Sequence, residues 1–261
     1  MSYTLITGAS TGIGREFARE FARRKSDMVL VARSESRLRE LAAEMNPSGI
    51  ADIHICAEDL GDPGSPRRIY DYCRERELKI GLIINCAGFG FAGAYDSMPL
   101  EDLQEMIQVN TAAMAVLIRH FLPGMIAEKS GGIINISSVG GFQGVARLGL
   151  YAATKSFIIT LSEALYEELK DKGIKVVVVC PGYIDTGFHI RARQYPEHSI
   201  LPVSNPAVVV KAAIKGLLKN KLHVFPTFLD FTLVFLQRFV PRMSVLKTAA
   251  FLAPFKYKRV L

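Results

Sequence analysis

A chain of 261 residues that is 49% hydrophobic and 22% charged is not a disordered polymer, and its length suits one globular α/β domain. The formal charge is +7, and from Lys221 onward seven Lys/Arg stand against one acid, Asp230, but large apolar residues interrupt these bases, which argues against a nucleic-acid surface. Four cysteines without a C-x-x-C pair and five histidines without ligand spacing imply neither a disulfide framework nor a metal site, and suit a reducing, cytoplasmic compartment.

The run YTLIT reads as a first strand with no secretory leader ahead of it. TGASTGIG, Thr7 to Gly14, follows and opens a helix around REFAREFARR. Glycines there let backbone approach a pyrophosphate, while the helix N-terminus supplies N–H groups and a positive dipole end. MVLVA is a second strand. It ends in Arg33, nineteen positions after Gly14, where dinucleotide folds that hold a ribose diol place an acid. A guanidinium suits a 2′-phosphate instead. An ordinary solvent-facing arginine is the bland alternative, and nearby Glu35 keeps NAD open as cofactor.

SRLRELAAEM forms the next helix, stopped by NPSG. ADIHICA, LIINCAG, GGIINISS and IKVVVVCPG read as further strands, short and apolar on both faces. The alternation predicts a doubly wound Rossmann-type parallel sheet of about seven strands, helices on both faces, in a single domain. NCAG, Asn85 to Gly88, puts small residues at a strand's carboxyl edge, where a flat ring can lie close. LYAATKSFIITLSEAL places Tyr151 and Lys155 four positions apart, on one helix face. No uncharged apolar run is long enough to span a bilayer.

These motifs together resemble the short-chain dehydrogenase/reductase family: T-G-x-x-x-G-x-G, N-x-A-G, a serine, Y-x-x-x-K and P-G occur in order from Thr7 to Thr186. The resemblance implies an oxidoreductase interconverting a ketone or aldehyde and an alcohol, with catalytic Asn110, Ser138, Tyr151 and Lys155. Ser137 is the adjacent alternative to Ser138, since only one of two neighbouring strand residues can face the cofactor. The resemblance further implies dinucleotide contacts from Gly8, Ser10, Thr11, Gly12, Ile13, Gly14, Arg33, Asp59, Leu60, Asn85, Ala87 and Gly88. Tyr151, Lys155, Pro181, Gly182, Ile184 and Thr186 complete that set, and Arg33 favours NADP(H).

A tyrosine whose reference pKa is about 10 can protonate the nascent alkoxide, and an ammonium one turn away favours its phenolate for the reverse direction. Ser138 would donate to the substrate oxygen. The resemblance gives Asn110 a water that links the lysine to solvent.

The catalytic core is expected over residues 1–190. A substrate loop, a helix (AVVVKAAIKGLLK) and a last strand (LHVF) occupy 191–225, and an apolar, basic extension 226–261. The extension suits a roof over the substrate, a subunit contact in a homodimer or homotetramer, or peripheral contact with anionic lipid on the inner face of a membrane. All three favour a small hydrophobic carbonyl or alcohol. Two rival readings are a 3-oxoacyl-carrier-protein reductase, with Arg191 and Arg193 at the loop, and a non-catalytic dinucleotide sensor.

Overall fold

The computed structural model describes residues 2–46, 49–187, 192 and 201–252. Its strands are β1 (Tyr3–Thr7), β2 (Met28–Ala32), β3 (Ile53–Ala57), β4 (Ile80–Asn85), β5 (Gly131–Ile136), β6 (Ile174–Val179) and β7 (His223–Val224). They form one parallel sheet in the order β3-β2-β1-β4-β5-β6-β7. The order reverses between β1 and β4, which opens a crevice at their carboxyl ends.

The helices are α1 (Gly12–Arg23), α2 (Glu35–Met45), α3 (Ser65–Glu75), α4 (Leu100–Ile107), α5 (Ala113–Ala127), α6 (Gly149–Leu169), α7 (Pro206–Leu218), α8 (Phe228–Phe235) and α9 (Arg242–Leu252). Strand residues alternate between two cores, which explains their two-faced apolarity. Leu5, Val29, Ile83, Val176 and Val178 pack under α3, α5 and α6. Ile6, Leu30, Ile84, Val177 and Val179 pack under α1, α2 and α7. Each such fully buried side chain contributes about 1.5–3 kcal/mol.

Several strand limits differ from the expected runs, two of them for plain local reasons. Ala51 is held by Asn46, whose Nδ2 donates to its carbonyl at 2.6 Å, so β3 starts two residues later, at Ile53. Strand β4 stops at Asn85 because the N–H groups of Cys86 and Ala87 turn onto Thr7 Oγ1, at 3.0 and 3.1 Å. A larger difference lies at α4–α5. A π turn, Gln108–Ala112, joins them into a 28-residue helical stretch, Leu100–Ala127, long and apolar enough by composition to cross a membrane. Half of its most apolar window is buried inside the protein, with Met114, Leu117 and Met125 in the core, so it serves here as a core helix.

All four cysteines are free thiols. Cys56 and Cys73 share the core beside α3, Cys180 follows β6, and Cys86 is partly exposed after β4. Burial pushes the thiols of Cys56, Cys73 and Cys86 up to about 12, and that of Cys180 up as well.

Candidate active site

Close approach governs the loop after β1. Gly14 lies against the turn: a Cβ there would sit 2.3 Å from the Gly8 carbonyl oxygen. Gly8 adopts φ +67°, and its Cβ would press the Ala87 backbone at 3.0 Å. Only glycine satisfies both demands. Above this loop runs a cleft of about 330 Å³, walled by Gly8, Ser10, Thr11, Gly12 and Ile13 on one side and by Ala87, Gly88 and Thr186 on the other. A side chain at Gly88 would intrude to 3.1 Å from Asn110 Oδ1 and 3.4 Å from Lys155 Nζ. Such a cradle, lined by the backbones of Gly8, Gly12, Ala87 and Gly88 with few large side chains and entered by the first turn of α1, fits a dinucleotide.

Arg33, Asp59 and Leu60 close the far end of the cleft. The Arg33 guanidinium lies 3.4 Å from Glu105 and 3.9 Å from Asp59. Arg37 and Ser34 share this end. Ser34 caps α2 by accepting the Arg37 N–H at 3.4 Å. Glu35, which kept NAD open, accepts from Arg39 Nε at 2.9 Å and is not among the residues lining the cleft.

At the other end stand Ser138, Tyr151 and Lys155. The two serines that follow β5 take different partners. Ser137 is buried, and its hydroxyl donates to the Lys155 carbonyl at 2.8 Å. Ser138 is hydrogen-bonded to Tyr151, accepts the Gly140 N–H at 3.1 Å and donates to the Pro181 carbonyl at 3.4 Å. Lys155 is buried, donates from Nζ to the Ile136 carbonyl at 3.0 Å and lies 5.5 Å from the centre of the Tyr151 ring.

Burial dominates both ionisations. It pushes Tyr151 up to about 12, against the Ser138 hydrogen bond, and holds Lys155 down to about 8. The expected lowering of the tyrosine by its lysine does not enter in the protein alone, where burial, with Tyr183 beside it, outweighs the Ser138 hydrogen bond. Tyr151 is a proton-holding acid there.

Asn110 sits in the π turn behind this cluster. Its Oδ1 accepts the Phe89 N–H at 3.0 Å, and its Nδ2 donates to the Phe89 carbonyl at 2.8 Å and to Thr154 Oγ1 at 3.1 Å. Both side-chain donors are thereby spent, so the side chain braces Gly88–Phe89, and any water link would fall to the backbone of the π turn.

A second cavity, of about 370 Å³, opens beside Tyr151 and shares Ile13, Cys86, Gly88 and Thr186 with the cleft. Pro181, Gly182 and Ile184 form its near wall; Leu233, Leu236 and Val240 from α8 and the following turn, with Val245 and Leu252 of α9, form its roof. Gln237 Nε2 donates to Gln143 Oε1 at 2.9 Å, and Arg242 Nη1 to the Phe142 carbonyl at 3.0 Å, fastening that roof.

The expected residues thus converge with three displacements. Gly14 lies beneath the cleft and Asn110 behind it. The Asn85 side chain is turned into the sheet, where its Nδ2 donates to Asn135 Oδ1 at 2.9 Å. Its contribution to the cleft is to pin the strand end. Sequence reasoning missed Arg37, Gln143 and Tyr183, which no motif marks. It also missed the reach of Asp230, a buried acid in the roof. Arg191, Arg193, Lys256, Lys258 and Arg259, and most of the substrate loop, lie outside the described residues. Among the described residues no three His, Cys, Asp or Glu gather closely enough to hold a metal ion.

The short chain dehydrogenase profile matches residues 2–196. Human epidermal retinol dehydrogenase 2 is 31% identical over 252 residues, 95% of this chain and 81% of the relative. A short-chain dehydrogenase from Sphingobium yanoikuyae, solved with NADPH, is 32% identical with a TM-score of 0.82, over 93% of this chain and 97% of that one. The bulky-bulky ketone specific alcohol dehydrogenase of Comamonas testosteroni is 30% identical with a TM-score of 0.77, over 93% and 96% of the respective chains. The chain belongs to the short-chain dehydrogenase family: it is an oxidoreductase of alcohol and carbonyl groups that uses a nicotinamide dinucleotide.

Proposed function

We propose that this enzyme uses NADP(H) to reduce a lipophilic ketone or aldehyde, of lipid, acyl or steroid-like character, to its alcohol. The observation that carries the reading is the junction of two unlike cavities: a cleft ending in Arg33 and Arg37 runs into an apolar chamber beside Tyr151. The Thr7–Gly14 loop would hold the pyrophosphate, and Arg33 with Arg37 a 2′-phosphate. Lys155 and Tyr151 would hold the nicotinamide ribose, and Pro181 to Thr186 the carboxamide end. The bound dinucleotide supplies the hydride.

Tyr151, held protonated by burial, passes its proton to the oxygen that gains charge. Ser138 donates a hydrogen bond to the same oxygen and stabilises that charge as it grows. The Lys155 ammonium sits behind the phenol and favours the phenolate left after transfer. In the oxidative direction the same phenolate takes the proton back.

The NADPH-bound relative and the enzyme for bulky ketones support this cofactor and substrate class. Peripheral membrane contact belongs to the same reading. Phe228, Phe231, Phe235 and Phe239 run as one aromatic row, with Phe228 80% and Phe239 72% exposed, beside Lys215, Lys219 and Arg238. That face suits anionic lipid at the cytoplasmic side. The row would equally pair two copies in a homodimer or homotetramer, and light scattering across a dilution series separates pairing from lipid contact.

The deciding test is cofactor titration by tyrosine fluorescence, in a protein without tryptophan, using NADPH and NADH on wild type and Arg33→Ala. Preference for NADPH that collapses in the variant is the expected result. Equal binding that the substitution leaves unchanged would overturn the NADP(H) assignment.

A further inference from the structure

Asp230, the lone acid among the C-terminal bases, is buried in the first turn of α8. Its Oδ2 accepts the Thr227 N–H at 3.1 Å, while its own N–H donates to Thr227 Oγ1 at 3.1 Å, closing a capping box. The carboxylate also accepts the backbone N–H of Gly182, outside its helix. The approach is tight: a Cβ on Gly182 would lie 2.5 Å from Asp230 Oδ1. Among the described residues, burial, the Thr227 hydroxyl and these N–H donors are the influences on the carboxylate, and no cation is among them. Burying a carboxylate without a counter-ion is costly, and a helix cap alone does not demand it, since Thr227 already provides one.

What the costly arrangement reaches is the peptide beside the reaction centre. The Pro181 carbonyl accepts Ser138 Oγ at 3.4 Å and the Val139 N–H at 3.0 Å, and Ser138 is hydrogen-bonded to Tyr151. One run of contacts therefore joins roof and chemistry: Asp230, Gly182, Pro181, Ser138, Tyr151. On the same helix, Leu233 lines the substrate chamber.

We propose that Asp230 is a positioning residue: it fastens the roof helix α8 to the Pro181–Gly182 turn, so that the way a substrate seats under the roof sets the position of the Ser138 hydroxyl. The inference rests on the roles given to Ser138 and Tyr151 above. A substrate that fits beneath α8 leaves the Pro181 carbonyl in register with Ser138. One bulky enough to lift α8 pulls on that peptide and slows turnover, even where it binds well. Substrate bulk is thus discriminated in kcat as well as in KM.

The test compares wild type with Asp230→Asn and Thr227→Ala, using a graded series of aryl and alkyl ketones. Asp230→Asn keeps the size of the side chain but replaces one acceptor oxygen with an N–H donor. It should lower kcat about tenfold with a smaller change in KM, and speed hydrogen exchange in the peptide containing Gly182. Thr227→Ala weakens the cap and should lower Tm, yet leave kcat and Gly182 exchange near wild type. Should Asp230→Asn fail to fold, Gly182→Ala drives the same two elements apart from the other side and should reproduce its kinetic and exchange effects. The proposal is overturned if Asp230→Asn matches wild type in both readouts, or if both variants lose kcat in step with Tm. If wild type reduces none of the ketones, the functional reading falls, while the exchange comparison still decides whether Asp230 tethers the Gly182 turn.

Discussion

Below Tyr151 the reaction chamber rests on strand ends whose core residues are fully buried and whose turns are pinned by Thr7, Asn110 and Asn135. Above it lie α8 and α9, which carry phenylalanines up to 80% exposed and meet the floor through a few polar struts from Asp230, Gln237 and Arg242. A floor of strand ends, with α6 tied to them through Ser137 and Lys155, can hold a serine, a phenol and an ammonium within the tolerance that proton transfer needs. A roof held by side-chain packing can change its shape while that floor stays put. Chemistry and substrate choice are thereby placed in separable layers, joined most directly at Asp230.

Breaking the floor should cost most. Tyr151→Phe removes the proton donor and is expected to lower carbonyl reduction about 10²–10⁴-fold, while dinucleotide affinity, which loses one ribose contact, falls by less than about tenfold, measured by steady-state rates and fluorescence titration. Ser138→Ala, which deletes one donor to the developing charge, should cost about 10²–10³-fold in kcat.

A third prediction probes the floor through pH. Burial lowers Lys155 from its ordinary 10.5 to about 8, so between those values the unfolded chain binds more protons and stability contributed at this site rises with pH. Tyr151 is raised from 10 to about 12, so above pH 10 the folded protein binds more protons and the sign reverses. Between pH 7 and 9.5, wild type should therefore gain about 1–3 kcal/mol relative to Lys155→Met, read from urea unfolding at both values. No change in that gap would mean the ammonium is better solvated than its burial implies.

Changes in the roof lining, away from the Asp230 strut, should be gentler and fall on binding. Leu236→Ala is expected to raise KM for bulky ketones about tenfold and leave kcat within twofold, which sharpens the contrast with Ser138→Ala. The smallest effect concerns the outer face. Phe239→Ser should shift folding stability by about 0.5 kcal/mol or less. It should leave turnover of water-soluble ketones unchanged and weaken sedimentation with anionic vesicles. Loss of turnover in that variant would show that the two layers are not separable there.

Legibility in the sequence follows the same division. Strands were readable because both faces are apolar, and the Thr7–Gly14 loop because only glycine survives its close contacts. Alternation along the chain could not tell Ser137 from Ser138, since their difference lies in a long-range bond, the one Ser137 makes to the Lys155 carbonyl. Asn85 resisted reading because its partner, Asn135, is fifty residues away, and that donor-acceptor pair, extended from Asn135 Nδ2 to Ser162 at 2.9 Å, exists only after β4, β5 and α6 have packed. Arg37 belongs to a helix face whose direction is set by the Ser34 cap. Asp230 looked like an interruption in an apolar run. The signal was there, since an acid in such a run is expensive to bury, but its use at Gly182 could not be read without the fold.

The thiols described with the fold make this molecule its own gauge of occupancy. Alkylation requires a thiolate and a path to it. All four thiols are pushed above their ordinary range, so access separates them: Cys56, Cys73 and Cys180 are buried, whereas Cys86 is partly exposed where cleft and chamber meet. Treated with iodoacetamide at alkaline pH, folded protein should acquire mass first at Cys86, at a rate that NADPH in the cleft suppresses. Adducts at the other three would appear only as the core opens. A mass spectrum would then count two events separately, the emptying of a binding site and the unfolding of the chain around it.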